Sequence, residues 1–235
     1  MQLIKNKNNL LVFNEEIDES LANAIRRYVS EVPVLAVDEV EIFKNDSPLY
    51  DETIAHRIGL IPLKTEKSVS EKSKIQFKLS VNKEGIIYSS DLKGNADVVY
   101  GGIPITLLDK DQEIELIATA KLGTGNEHAK FIPGLVYYRN MKEIKTGSKS
   151  KEISEIFSGC NNSCGKDKKL ENNKNYLLDV CDSCEYELEN LKIEMNDTKN
   201  LVITIESFGQ ISVKDIFNSA IKELKKDLAE VGKKI

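Results

Sequence analysis

The chain has 235 residues, a formal net charge of −5 and a pI near 5.3, which allows one or two domains with a real core. With 30% charged and 40% hydrophobic residues it reads as soluble and globular. No apolar run has the length of a membrane span and MQLIKNKNNLLVF lacks a signal-peptide layout, so a cytoplasmic protein is expected. The acidic balance argues against a broad nucleic-acid surface, which needs clustered Lys and Arg to displace counterions.

Residues 1–40 predict a strand, a capped helix and a return strand. Asp18 is the expected N-cap, Leu21, Ile25, Tyr28, Val29 and Val32 recur at helical spacing, and Pro33 stops the helix. Asn23, Arg26 and Arg27 form its polar face. Residues 36–43 alternate as a strand around Asp38, Glu39 and Glu41, and Asn45-Asp46-Ser47-Pro48 is a turn.

A β-rich stretch is expected over residues 41–150. Residues 75–81 alternate cleanly, residues 114–120 less so, and Gly85, Gly94, Gly101-Gly102 and Gly123-Thr124-Gly125 punctuate the strands. The last of these lacks the Lys-Ser/Thr of a phosphate-cradling loop. Residues 141–155, rich in Lys, Glu, Ser and Gly, are expected to be a solvated connector.

Residues 151–200 hold every cysteine of the chain: Cys160, Cys164, Cys181 and Cys184, spaced C-x3-C, sixteen residues, C-x2-C. Two close pairs joined by a hairpin-length segment suit a tetrahedral metal site on all four thiolates, so zinc is the simple reading. A cytosolic protein disfavours disulfides. The chain closes with an alternating strand, residues 201–205, and a long helix whose Ser212 and Asp215 resemble a capping box. Its stripe of Val213, Ile216, Phe217, Ala220, Ile221, Leu224, Leu228 and Val231 must pack on something.

Several blocks, in order, carry a family likeness: Asn23-Ala24-Ile25-Arg26-Arg27, Glu31-Val32-Pro33, Asp38-Glu39-Val40, Leu49-Tyr50-Asp51-Glu52, residues 55–63 (AHRIGLIPL), residues 116–133 (LIATAKLGTGNEHAKFIP), and Ile205-Glu206-Ser207-Phe208-Gly209 running into a helix. They resemble the D-type subunit of archaeal DNA-directed RNA polymerase, the counterpart of bacterial alpha and of the third-largest subunit of eukaryotic polymerase II.

The resemblance implies an α+β chain in three parts: a discontinuous helix-and-sheet dimerisation domain (1–40 with 201–235), an inserted β-rich domain (41–150), and a small cysteine-containing insert (151–200) like a two-cluster ferredoxin. It implies a non-catalytic scaffold that pairs with the small subunit L and serves as the assembly platform for the large catalytic subunits. The helix-to-helix interface would use Leu21, Ile25, Tyr28, Ile216, Phe217, Ala220, Ile221, Leu224 and Leu228. Exposed strand-and-turn elements around Arg26, Arg27, Asp51, Glu52, His56 and Arg57 would dock the large subunits, Arg being suited to bidentate contacts. The cysteine insert would face other small polymerase subunits, and DNA would be met only through the assembled enzyme.

Laid on the ferredoxin pattern, Cys160 and Cys164 match the last two cysteines of one run, and Cys181 and Cys184 the first two of the next. The remaining positions lack thiols, with Glu187 at one of them. Zinc, a degenerate iron–sulfur cluster and an empty remnant are the three readings of the site.

Catalytic chemistry finds little support. His56 and His128, the two histidines, stand alone, with no neighbouring nucleophile, and no tight Asp-rich loop suggests a two-metal centre. A ferredoxin-like electron carrier is the rival class, which full thiolate sets would have favoured. A zinc-bearing nucleic-acid binder would need a basic, aromatic face, whereas residues 166–200 mix Lys with acids and offer only Tyr176 and Tyr186.

Overall fold

The structure is a computed structural model that describes residues 2–66, 69–70, 73–160 and 169–234. In chain order its elements are β1 (Gln2–Lys7), β2 (Leu10–Glu16), α1 (Glu19–Tyr28), β3 (Val34–Asn45), α2 (Asp51–Gly59), β4 (Ile75–Val81), β5 (Gly85–Tyr88), β6 (Lys93–Gly94), β7 (Pro104–Leu108), β8 (Ile114–Gly123), β9 (Gly134–Lys145), α3 (Ser150–Gly159), β10 (Asn175–Leu178), α4 (Asp182–Asn190), β11 (Glu194–Ser207) and α5 (Val213–Lys234). The chain divides into two compact units, one of Met1–Asn6, Val12–Asn23 and Tyr137–Thr204, the other of Lys7–Leu11, Ala24–Val136 and Ile205–Ile235.

The first unit is built around a five-stranded sheet ordered β1-β2-β11-β9-β10. β10 runs antiparallel to β9, with Leu178 opposite Lys142 and Tyr176 opposite Ile144. Against this end pack α3 and α4, which bury Ile153 and Phe157 of one helix and Leu188 of the other with Ile144, Leu178 and Val180. Each helix thus contributes an i, i+4 pair to one small core, Cys184 with Leu188 completing the second. The solvated connector expected over residues 141–155 is instead the end of β9 and the start of α3. Met141, Ile144 and Ile153 are buried there, spaced so that the intervening Lys and Glu reach water and mask the apolar face in the linear sequence.

The second unit carries the sheet β3-β8-β4-β6 and the separate pair β5-β7. β8 alternates as a half-buried strand should, with Ile114, Leu116, Ala118 and Ala120 all buried. The two alanines make room for Phe77, which lies opposite Ala118 in the register of β4 on β8. Gly94 of β6 meets the same ring: a Cβ there would sit 2.6 Å from Phe77 Cδ1, so no larger residue fits without displacing it. Ile54 and Ile58 of α2 and Ile87, Ile105 and Leu108 of β5 and β7 complete this core.

Residues 51–59 form a helix where strand-and-turn structure was expected. Tyr50 is extended at its N-cap, Asp51 and Glu52 occupy the first turn where the helix dipole favours acids, and Ile54 and Ile58 are fully buried. The elements flanking α2 are β-rich, and a nine-residue helix offers only one such apolar pair, which alternation-based reading passes over.

Both expected helix starts hold. Asp18 Oδ1 accepts the Ser20 N–H at 2.8 Å ahead of α1. Ser212 Oγ accepts the Asp215 N–H at 3.1 Å and donates to the Asp215 carboxylate at 2.7 Å ahead of α5. The turn from β11 into α5 passes through Gly209, whose φ of +95° is a conformation L side chains rarely adopt.

Candidate metal centre and subunit interface

The cysteines converge at the facing ends of α3 and α4. Cys160 stands just past the last turn of α3 in extended conformation. Cys181 is the N-cap residue of α4, extended as N-caps are, and Cys184 lies in the helix's first turn on the buried face. The Sγ atoms of Cys160 and Cys181 are 3.5 Å apart, and all three sulfurs lie within 4.8 Å of one another. Cys164 lies outside the described residues.

Three sulfurs this close have the spacing of ligands on one ion: with a Zn–S bond of about 2.3 Å, tetrahedral sulfurs sit roughly 3.8 Å apart. Cys181 and Cys184 also occupy the positive end of α4, where the helix dipole favours thiolate charge. The sulfurs open onto a cavity of about 580 Å³ that Glu155, Ile156, Ser183 and Glu187 also line. Glu187 is one turn along α4 from Cys184, exposed, at the rim of the same cavity. The three cysteines together could hold a metal.

Ion pairs frame this site. Arg139 of β9 grips Asp179 with two parallel hydrogen bonds, Nε to Oδ1 at 2.6 Å and Nη2 to Oδ2 at 2.8 Å. Lys142 of the same strand reaches Glu185 at 2.6 Å and Asp197 at 2.8 Å. Hydrogen bonds to Asp197 and Glu185 raise the Lys142 pKa above 10.5 and keep it charged. Sequence reasoning missed this frame, because its partners stand 40 and 43 residues apart in the chain.

The residues expected at subunit contacts divide into those their own unit uses and those it leaves exposed. On α5, Val213, Ile216 and Ala220 are buried, Phe217, Ile221 and Leu224 are half-buried, and Leu228 and Val231 are 61% and 55% exposed. On α1, Ile25 is buried, Leu21 is 47% exposed, and Arg26 and Arg27 face outward. The half-buried Tyr28 donates its hydroxyl to Asp227 of α5 at 3.0 Å.

On α2, Arg57 donates to the Ile105 carbonyl at 2.8 Å and Asp51 accepts from Asn45 at 2.7 Å, so both brace their own unit. Glu52 and His56 are exposed. His128 caps the turn Ala129–Phe131 by accepting the Lys130 N–H at 3.1 Å, a structural role. No helix among the described residues is long and apolar enough to cross a membrane.

Residues 40–133, which hold the second half of β3 with β4, β6 and β8, α2 and the β5-β7 pair, match the family model of the RNA polymerase Rpb3/RpoA insert domain. The chain is thus of the class that carries this polymerase domain. DNA-directed RNA polymerase subunit Rpo3 of Archaeoglobus fulgidus is 34% identical over 234 residues, spanning 91% of this chain and 89% of that protein. Rpo3 of Pyrococcus furiosus is 35% identical over 246 residues, 95% and 92% of the two chains. With Rpo3 of Pyrococcus horikoshii the match is 42% over 158 residues, covering 63% of this chain and 61% of that protein. The chain belongs to the Rpo3 family of archaeal DNA-directed RNA polymerase subunits.

Proposed function

We propose that this chain is the D-type scaffold of its RNA polymerase, pairing with a small subunit of the L type and carrying the large catalytic subunits without supplying catalytic residues itself. One observation carries the reading furthest. The apolar stripe of α5 covers its own core through Ala220 and then continues exposed through Leu228 and Val231, a surface a lone soluble protein has no use for. Membership of a polymerase subunit family supplies the partner: a subunit whose own helix stripe covers this one.

In this reading residues 1–40 and 201–235 make the dimerisation domain, 41–150 the insert, and 151–200 the cysteine module. Arg26, Arg27, Glu52 and His56, all exposed, would meet the large and other small subunits. The protein works in the cytoplasm and meets DNA only within the assembled enzyme.

For the cysteine module we infer a single zinc ion on Cys160, Cys181 and Cys184, with Cys164 as the fourth ligand. The compact sulfur set favours one ion over a cluster, whose thiolates are spread over several irons. The ion would tie the ends of α3 and α4 together, a structural task. Co-expression with the small partner under anaerobic conditions, followed by mass, zinc, iron and sulfide determination, tests both parts. A one-to-one heterodimer with one zinc is expected. Stoichiometric iron and sulfide would overturn the zinc assignment, and a redox-active monomer indifferent to the partner would overturn the scaffold.

A further inference from the structure

The short helix that carries two of the three clustered sulfurs starts without an ordinary cap. α4 has nine residues, and its N-cap residue, Cys181, makes no side-chain capping hydrogen bond. A helix so short is marginal unless something outside it holds its ends, yet its first turn must keep two sulfurs within 4.8 Å of Cys160.

Two cations on β9 grip the chain on either side of those sulfurs. Asp179, two residues before Cys181, accepts both arms of the Arg139 guanidinium, at 2.6 and 2.8 Å. That planar fork fixes the carboxylate's orientation as well as its distance, which a single ammonium contact does not. Glu185, the residue after Cys184, takes the Lys142 ammonium at 2.6 Å, and the same ammonium is anchored to Asp197 of β11 at 2.8 Å. The Lys142 side chain is half-buried, 18% exposed, which restricts its alternatives. Leu178, the last residue of β10, lies opposite Lys142, so the peptide leaving that pairing is caught at once by Arg139 and turned into α4.

We propose that Arg139 and Lys142 are positioning residues for the thiol site: through Asp179 and Glu185 they lock the first turn of α4 to the sheet and hold Cys181 and Cys184 against Cys160. The proposal rests on the metal-site reading above. It assigns the pre-organisation of the ligands to salt bridges that touch no ligand atom. Gathering three mutually repelling thiolates is unfavourable in a flexible chain, and a sheet-anchored helix end removes that cost before the ion arrives.

The test titrates cobalt(II) into the reduced full-length chain, following thiolate-to-cobalt charge-transfer absorption, with affinities set by competition against a chelator. R139K, D179N and K142M are compared with K145M, which removes the Lys145–Glu194 pair from the same strand. The three frame variants are expected to bind cobalt about 10- to 100-fold more weakly, with K145M within about 2-fold of the parent. Absorption per bound ion is expected to stay the same in all, because the sulfurs are unchanged.

Melting temperatures of the apo chains are measured alongside, and affinities are compared only among chains folded at the assay temperature. D179N and R139K probe one pair from its two sides, so loss of either to unfolding leaves the other. Frame variants that bind as tightly as the parent would overturn the proposal. A parent that binds neither cobalt nor zinc would instead overturn the metal-site reading itself.

Discussion

Replacing Leu228 and Val231 together by Glu is expected to abolish pairing with the small subunit and leave this chain folded. Burying a Leu or Val side chain completely is worth about 1.5–3 kcal/mol. At 61% and 55% exposure the two residues have somewhat over half of their surface still to bury, or roughly 2–3 kcal/mol together. Their loss alone weakens association roughly 30- to 150-fold, and two carboxylates stranded in an apolar seam weaken it further. Neither side chain is among the buried core of its own unit, so the stability of the isolated chain should move by no more than about 0.5 kcal/mol.

I216A supplies the contrast on the same stripe. Ile216 is fully buried, and its truncation should cost about 2–5 kcal/mol of stability. Calorimetric titration of the small subunit into each variant, with urea unfolding of the variants alone, separates the two effects. The reasoning is refuted if L228E/V231E binds like the parent, or if it destabilises the isolated chain as much as I216A does.

Three further outcomes are expected. F77A should destabilise the unit built on β3-β8-β4-β6 by about 3–5 kcal/mol, read by urea denaturation, because the ring is fully buried against Ala118 and Gly94. Lys142 has its pKa raised above 10.5 by hydrogen bonds to Asp197 and Glu185, so its contribution is fully present below pH 10.5 and is lost as pH rises through the folded value. Stability measured from about pH 9 upward should therefore fall less steeply in K142M than in the parent. Zinc at about a thousand times its dissociation constant should stabilise the reduced chain by about 4 kcal/mol. C181S, which deletes one of the three clustered sulfurs, should remove most of that gain in a thermal melt with and without chelator.

Strands of this protein were legible in its sequence where dry and wet residues alternate along them. Residues 75–81 read as a strand and form one, because Phe77 and Leu79 alternate with residues that reach water. The starts of α1 and α5 were legible because a cap is a local event, made by a side chain and an N–H two or three residues away. α2 and α3 were missed for the opposite reason. Each shows only a pair of buried apolar residues, Ile54 with Ile58 and Ile153 with Phe157, and it is the sheet beneath that gives those pairs meaning.

The same division runs through the candidate sites. C-x3-C and C-x2-C spacing was enough to mark the candidate metal ligands, since each pair comes from one short stretch of chain. Only tertiary packing decided that Cys160 and Cys181, 21 residues apart, stand 3.5 Å from each other, and that Arg139 and Lys142 frame them. The stripe of α5 was continuous in the sequence from Val213 to Val231. Where it stops serving its own core, between Ala220 and Leu228, was decided by the extent of the surface beneath the helix. Local patterns follow from bonding over a few residues, whereas the boundary between core and exposed stripe depends on which distant strands arrive beneath a face, and no short window of sequence contains them.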